Sequence, residues 1–185
     1  LGRPSEVKPF GTACVTRGGV GAAIAYPTAA ALKQPGHRVV SILGGRTRSL
    51  VVLEDEIRAT SHVLHVTTDD GSAGEQGRVT DPLRRILAEG RHPAVYACGP
   101  MAMLQAVSQV SSEFAAVAQC AVEESMACGV GVCMTCVLPV VGDDGVTRMV
   151  RSCTDGPVFF GDRVRWADVG TVPAGTLGAP EPRDD

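Results

Sequence analysis

Five short runs of apolar residues recur along the first two thirds of the chain, and segments with a helical distribution of apolar positions separate them. Continuously apolar strands are typical of a parallel sheet that is buried on both faces, and the helical segments supply the crossover connections. The pattern therefore predicts an α/β fold with a five-stranded parallel sheet. The predicted strands are residues 12–16, 38–44, 62–68, 93–98 and 116–122.

Helices are predicted between these strands. An Ala-rich run that ends before Gly36 follows the first strand. Pro27 is compatible with that helix if it lies in the first turn, where the missing N–H has no intrahelical partner. Further helices are expected over residues 49–59, 79–90 and 100–114.

The pattern changes after residue 123, where glycine and cysteine replace the helical periodicity. The segments "VLPVV", "GDDG" and "VTRMV" predict a β-hairpin with an Asp-Gly turn. The final stretch, "GTVPAGTLGAPEPRDD", is typical of a disordered segment. We therefore predict a sheet domain over residues 1–123, a small C-terminal domain over residues 124–170 and a disordered tail over residues 171–185.

Composition and charge restrict the class of protein. Hydrophobic residues make up 44% of the 185 residues but aromatic residues only 4%, which suits the sheet and helix layers of an α/β fold. A net charge of −3 without a basic run argues against a nucleic-acid partner, and no apolar stretch approaches the ~20 residues that span a membrane. The seven unevenly spaced cysteines and the absence of a signal-peptide pattern favour a reducing compartment, so we expect a cytoplasmic protein.

The most specific motif is a set of four cysteines, Cys128, Cys133, Cys136 and Cys153. The first three follow the C-x4-C-x2-C spacing of plant-type [2Fe–2S] sites. Gly129 and Gly131 would let the backbone curl around a bulky anionic cluster. Four thiolates also suit a tetrahedral zinc ion, although zinc sites usually pair two C-x2-C motifs. Buried structural cysteines are the third interpretation.

Two glycine turns indicate a dinucleotide site. "RGGVG" joins the first strand to a helix, where phosphates can approach free N–H groups, as in Rossmann-like sheets. "ACGP" ends the fourth strand and Arg46 ends the second, so both belong to the carboxyl edge at which α/β proteins bind ligands. The alternatives are an ordinary turn, a core cysteine and a solvated arginine.

Over roughly residues 1–165 the chain resembles the electron-transfer subunit of NAD-linked dihydroorotate dehydrogenase, a family of the ferredoxin–NADP reductase superfamily. The motifs that carry the resemblance are "TTDDGSAGEQG", "VYACGPMAML", "VEESMACGVGVCMTCV" and "RSCTDGPVF". The resemblance implies that the four cysteines ligate a [2Fe–2S] cluster. It also implies that Gly18, Gly19 and Gly21 lie near the phosphates of NAD and that Cys98-Gly99-Pro100 lies beside the nicotinamide.

In that family an FMN-containing catalytic subunit oxidises dihydroorotate, and electrons pass through [2Fe–2S] and FAD to NAD⁺. The resemblance implies a role in pyrimidine biosynthesis within a heterotetramer of two copies of each subunit. It implies no catalytic side chain in this chain. Family members begin with an FAD-binding barrel, which the resemblance implies this chain lacks.

Two other functions fit the same residues. The cysteine spacing would also serve an electron-transfer subunit of a hydrogenase, a sulfide dehydrogenase or an NADH–ferredoxin oxidoreductase. A function of another class is a zinc-binding interaction module that uses the four cysteines for protein contacts.

Overall fold

A seven-stranded sheet forms the centre of the computed structural model, which describes residues 2–7, 12–18, 21–33, 37–90 and 94–179. Its strands are β1 (Thr12–Gly18), β2 (Arg38–Gly45), β3 (Val63–Thr68), β4 (Glu75–Gln76), β5 (Ala94–Cys98), β6 (Val117–Ala121) and β9 (Val158–Phe160). The spatial order is β4-β3-β2-β1-β5-β6-β9. All neighbours run parallel except β9, which is antiparallel to β6.

Four helices cover the two faces of the sheet: α1 (Gly21–Lys33), α2 (Glu54–Thr60), α3 (Thr80–Ala88) and α4 (Met101–Glu113). Successive residues of each strand point to opposite faces, so Val39 packs with α1 whereas Val40 packs with α3 and α4. Single 3-10 turns lie at Arg48–Leu50, Gly161–Arg163 and Trp166–Asp168. Within the described ranges, every helix is too short or too polar to cross a bilayer.

The α/β class and the five predicted parallel strands are confirmed, but the prediction of five strands in the sheet is wrong. β4 adds a two-residue strand beside β3. β9 adds an antiparallel strand that comes from the segment after Cys153, where Phe159 pairs with Cys120. The N–H of Val122 also donates to the Pro157 carbonyl at 2.9 Å. The cysteine-bearing segment is therefore joined to the main sheet.

Two helix predictions require correction. The expected helix over residues 49–59 is a 3-10 turn followed by α2, because Leu53 has a left-handed backbone with φ of 58° immediately before Glu54. Pro27 lies inside α1 rather than in its first turn, because that helix begins at Gly21. The Pro27 ring therefore removes one hydrogen bond from the helix interior.

The predicted hairpin is confirmed as β7 (Val137–Val141) paired with β8 (Thr147–Arg151). Its turn is held by the Asp144 carboxylate, which accepts the Val146 N–H at 3.1 Å and pairs with Arg148 at 2.7 Å. The Arg148 guanidinium holds the pKa of Asp144 well below its usual range.

Part of the predicted disordered tail contacts this hairpin. The N–H of Leu177 donates to the Thr147 carbonyl at 2.9 Å, and the Thr176 side chain is buried. Residues 180–185 lie outside the described residues.

The first prediction concerns β9. Phe159 is buried in the core against the β6 side of the sheet, whereas its neighbour Phe160 is 40% exposed. Phe159→Ala should lower the free energy of unfolding by about 3–5 kcal/mol through lost burial and a residual cavity. Phe160→Ala is the matched control and should cost about 1 kcal/mol or less. Urea denaturation measures both, and equal losses would contradict the role assigned to β9.

Candidate functional site

A cavity of about 720 Å³ lies at the carboxyl edge of the parallel strands. It is bordered by the ends of β1 and β2, by β3 and by the starts of α3 and α4. This is the edge at which open α/β sheets bind their ligands. The lining residues include Gly18, Gly44, Arg46, Thr67, Pro100 and Met103.

Gly21, the first residue of α1, packs directly on the main chain at the end of β5. A Cβ added there would overlap the Cys98 carbonyl oxygen and lie 2.8 Å from the Gly99 nitrogen. Only glycine permits this approach. The structure thus brings the start of α1 together with the Cys98-Gly99-Pro100 turn. Gly18 lines the cavity beside this turn, and Gly19 lies outside the described residues.

Arg46 follows the last residue of β2, and its exposed side chain lines the same cavity. Its main chain is held by the loop after β3. The N–H of Asp69 donates to the Gly45 carbonyl at 3.2 Å, and the N–H of Asp70 donates to the Arg46 carbonyl at 3.3 Å. The "TTDDGSAGEQG" loop therefore fixes the position of Arg46 and supplies part of the cavity wall.

Cys98 is buried and lines a smaller cavity of about 230 Å³ rather than the large one. Burial, with a smaller contribution from the Glu123 carboxylate, raises the pKa of Cys98 to about 12. The guanidinium of Arg17 partly opposes this rise. Arg17 is itself fully buried beside Val15 on the α1 face and donates to Ser41 Oγ at 3.4 Å. The Cys98 thiol is therefore neutral at physiological pH.

The loop of residues 128–133 curls around the sulfur of Cys128. The N–H groups of Val130, Val132 and Cys133 point at this sulfur from 3.4, 3.3 and 3.5 Å. Positive φ at Gly131, 81°, allows the curl. The N–H donors, that of Cys133 above all, lower the pKa of Cys128 to about 6. They favour the thiolate, which is the form that ligates metals.

The hairpin brings Cys136 and Cys153 together. Cys136 precedes β7, Cys153 follows β8, and the register pairs Val137 with Arg151. Both the N–H and the hydroxyl of Ser152 donate to the Cys136 carbonyl at 2.9 Å. The N–H of Cys153 donates to the Cys136 sulfur at 3.4 Å. Two buried thiols that are distant in sequence thus become neighbours.

The four cysteines form two hydrogen-bonded pairs, because the N–H of Cys133 points at the Cys128 sulfur and the N–H of Cys153 points at the Cys136 sulfur. Burial, together with the Cys136 thiol, raises the pKa of Cys153. The two cysteine-bearing loops meet where Arg151 Nη1 donates to the Gly131 carbonyl at 3.1 Å. Within the described ranges, no group of three or more His, Cys, Asp or Glu side chains is placed to hold one metal ion. The pairwise donor set fits a two-iron cluster, in which each iron takes two thiolates.

Several residues contribute to one or the other site without belonging to a recognisable sequence motif of their own. Val79 and Met103 line the large cavity, but at sequence level they are ordinary apolar residues of helices. Arg151 and Ser152 hold the cysteine loops in place. Both belong to the "RSCTDGPVF" motif, which singled out Cys153 as a candidate ligand but not its neighbours.

The close contact at Gly21 leads to the second prediction. Gly21→Ala should separate α1 from the β5 turn, lower the free energy of unfolding by about 1–3 kcal/mol and weaken binding of NADH. Ala23→Gly, two residues further along α1, should cost about 1 kcal/mol without changing the affinity. Calorimetric titration with NADH measures the affinity. Unchanged affinity in Gly21→Ala would contradict a dinucleotide site at the start of α1.

The third prediction concerns Cys98. A pKa raised to about 12 leaves only ~0.01% thiolate at pH 8. Iodoacetamide should therefore leave Cys98 unmodified in the folded protein at pH 8 and modify it after unfolding in urea, as peptide mass spectrometry can show. Rapid modification in the folded protein would mean that the thiol is accessible and ionised.

Two protein-family models match the chain. The model described as the oxidoreductase NAD-binding domain matches residues 17–109. The model described as the iron–sulfur cluster binding domain of dihydroorotate dehydrogenase B matches residues 123–165. The first match contains the β1–α1 turn and Arg46, and the second contains all four cysteines.

Relatives and a solved structure agree with these matches. The Thermotoga maritima protein described as a dihydroorotate dehydrogenase B (NAD⁺) electron transfer subunit homolog is 36% identical over 169 residues, which is 91% of this chain and 58% of that protein. The Bacillus caldolyticus electron transfer subunit of the same enzyme is 40% identical over 159 residues, 85% of this chain and 59% of that protein.

The solved structure was described in work on flavin-based electron bifurcation by the NADH-dependent reduced ferredoxin–NADP oxidoreductase. Its TM-score to this chain is 0.81 at 34% identity, covering 91% of this chain and 59% of that chain. The chain thus spans less than two thirds of the length of these proteins. On these matches, the chain belongs to the family of dihydroorotate dehydrogenase B electron-transfer subunits and their homologues.

Proposed function

We propose that the chain acts as the electron-transfer subunit of an NAD-linked dihydroorotate dehydrogenase in pyrimidine biosynthesis. Its partner would be an FMN-containing catalytic subunit, with two copies of each in the complex. The observation that supports the proposal is that two hydrogen-bonded cysteine pairs, Cys128 with Cys133 and Cys136 with Cys153, lie within a segment matched by the iron–sulfur domain of that enzyme. A reducing cytoplasm would keep such thiols available as ligands.

The residues of this chain have three tasks in that function. Cys128, Cys133, Cys136 and Cys153 would hold a [2Fe–2S] cluster, which supplies one-electron transfer when bound. The N–H groups around the Cys128 sulfur stabilise negative charge at the ligands. The cavity at the sheet edge would hold NAD, and a bound FAD would supply the two-electron chemistry that hydride transfer to NAD⁺ needs.

The cysteine loop also has the surface character of a docking site. Val130, Val132 and Met134 are 70%, 79% and 52% exposed, although each is apolar. All three flank Cys133, the exposed member of the quartet. An exposed apolar rim around a redox site favours close contact with a partner protein. We therefore assign this loop to the interface with the catalytic subunit.

Electron delivery from the partner tests the proposal directly. The full chain is co-expressed with an FMN-containing dihydroorotate dehydrogenase catalytic subunit, and the complex is purified without oxygen. Adding dihydroorotate should bleach the visible absorption of the iron–sulfur chromophore in this chain, and the chain without its partner should not respond. A complex that forms and holds iron but does not bleach would reject dihydroorotate dehydrogenase as the function.

A second candidate function follows from the solved structure at TM-score 0.81, whose description names an NADH-dependent reduced ferredoxin–NADP oxidoreductase. In this function the chain would use the same cysteine site and the same cavity, but as part of another flavoprotein complex. Bleaching by reduced ferredoxin or NADPH through a different partner, without any response to dihydroorotate, would support this candidate instead.

The fourth prediction tests the metal. Cys133→Ser should abolish stoichiometric iron and acid-labile sulfide, because one iron loses a thiolate ligand. Cys120→Ala is the control, since Cys120 is buried in the sheet core on β6, where it pairs with Phe159. We expect equal amounts of iron and sulfide in the control and in the unmodified chain. Stoichiometric zinc in a colourless protein would establish the interaction module in place of the redox site.

A further inference from the structure

We propose that Arg151 is a positioning residue that joins the two halves of the cysteine site and raises the reduction potential of the group held there. The inference rests on the proposed [2Fe–2S] site but not on the identity of the partner enzyme. The main chain of Arg151 holds the turn that carries Cys153, and its side chain contacts the loop between Cys128 and Cys133.

The main chain of Arg151 fixes the turn that carries Cys153. Arg151 is the last residue of β8. Its carbonyl accepts the N–H groups of Thr154 and Asp155 at 3.1 and 2.8 Å, and its own N–H donates to Asp155 Oδ2 at 2.9 Å. These three bonds close the chain tightly around residues 151–155. The position of the Cys153 ligand therefore depends on the backbone of Arg151.

The side chain of Arg151 reaches the other half of the site. Its Nη1 donates to the Gly131 carbonyl at 3.1 Å. Gly131 lies midway along the curl between Cys128 and Cys133. A Cβ added to Gly131 would lie 3.4 Å from Arg151 Nη1 and 2.9 Å from Thr154 Cγ2, so the guanidinium is packed against the curl. One residue thus connects the Cys153 turn to the loop of the first two ligands.

The same contact places a permanent positive charge against the loop between Cys128 and Cys133. The Asp155 carboxylate, which forms an ion pair with Arg151, is 3.7 Å from Arg151 Nε. Arg151 Nη1 is hydrogen-bonded to the Gly131 carbonyl at the same time. Four thiolates and an added electron make the site more negative, so a nearby cation favours the reduced form. The Arg151 side chain is 41% exposed, which weakens the effect through solvent screening but does not remove it.

Arg148 provides a matched control on the same strand. It also forms an ion pair with an acid four residues away, Asp144, at 2.7 Å. Its contacts lie at the closed end of the hairpin, with Asp144 and the Val146 carbonyl, whereas Arg151 is at the open end with the cysteines. Removing Arg148 therefore shows how the loss of one ion pair in the hairpin affects the protein when the cysteine loops are not touched.

The experiment compares the unmodified chain with Arg151→Gln, Arg151→Lys and Arg148→Gln. Iron and sulfide content, the rate of cluster loss to a chelator, and the midpoint potential followed by electron paramagnetic resonance are measured on each. We expect Arg151→Gln to lose the cluster about tenfold faster, as is typical when a neighbour that supports metal ligands is removed. We also expect it to have a more negative midpoint potential. Arg148→Gln should match the unmodified chain in both.

Arg151→Lys separates the charge from the hydrogen-bond geometry, because an ammonium keeps the charge but lacks the planar guanidinium. It should keep the midpoint potential of the unmodified chain and lose the cluster several-fold faster. If Arg151→Gln does not fold, the inference is tested with Arg151→Lys. Arg151→Gln with the potential and loss rate of Arg148→Gln would overturn the inference, as would Arg151→Lys with a lowered potential. An unmodified chain without iron would overturn the proposed metal site and this inference together.

Discussion

The cysteine site depends on the antiparallel register of β7 and β8. Pairing of Val137 with Arg151 places Cys136 and Ser152 side by side at the open end of the hairpin, where both donors of Ser152 meet the Cys136 carbonyl. A shift of one residue would turn the side chains of the shifted strand to the opposite face. Cys153 would then leave Cys136, and Arg151 would no longer reach Gly131. Strand pairing thus determines which thiols can act together.

The large cavity at the sheet edge depends on a different constraint, the close approach of three main-chain segments. The end of β1, the start of α1 and the turn after β5 meet where glycine at position 21 lies against the Cys98 carbonyl. Their carboxyl-edge location follows from parallel pairing, which aligns the ends of β1, β2 and β5. The cysteine-bearing segment joins the same sheet at its other side, where β9 pairs with β6.

Local sequence patterns encode part of this fold and part of the cysteine site. Apolar runs located the five parallel strands, and the C-x4-C-x2-C spacing singled out the cysteine loop. Local patterns could not reveal β9, because "VFF" is three residues long and becomes a strand only by pairing with β6. The left-handed Leu53 was equally hidden, since leucine rarely adopts that backbone. The contact of Arg151 with Gly131 spans 20 residues and arises only when the hairpin forms.

The attachment of β9 to β6 also bears on how such proteins can be rearranged. A segment that folded alone could be moved between proteins as a cassette, but here the last strand of the cysteine segment completes the sheet of its neighbour. Transplanting the cysteine segment would leave β6 with an open edge and expose Phe159. Recombination within this architecture should therefore exchange the cysteine segment and the main sheet together. An engineered protein that uses the cysteine segment must include the main sheet as well.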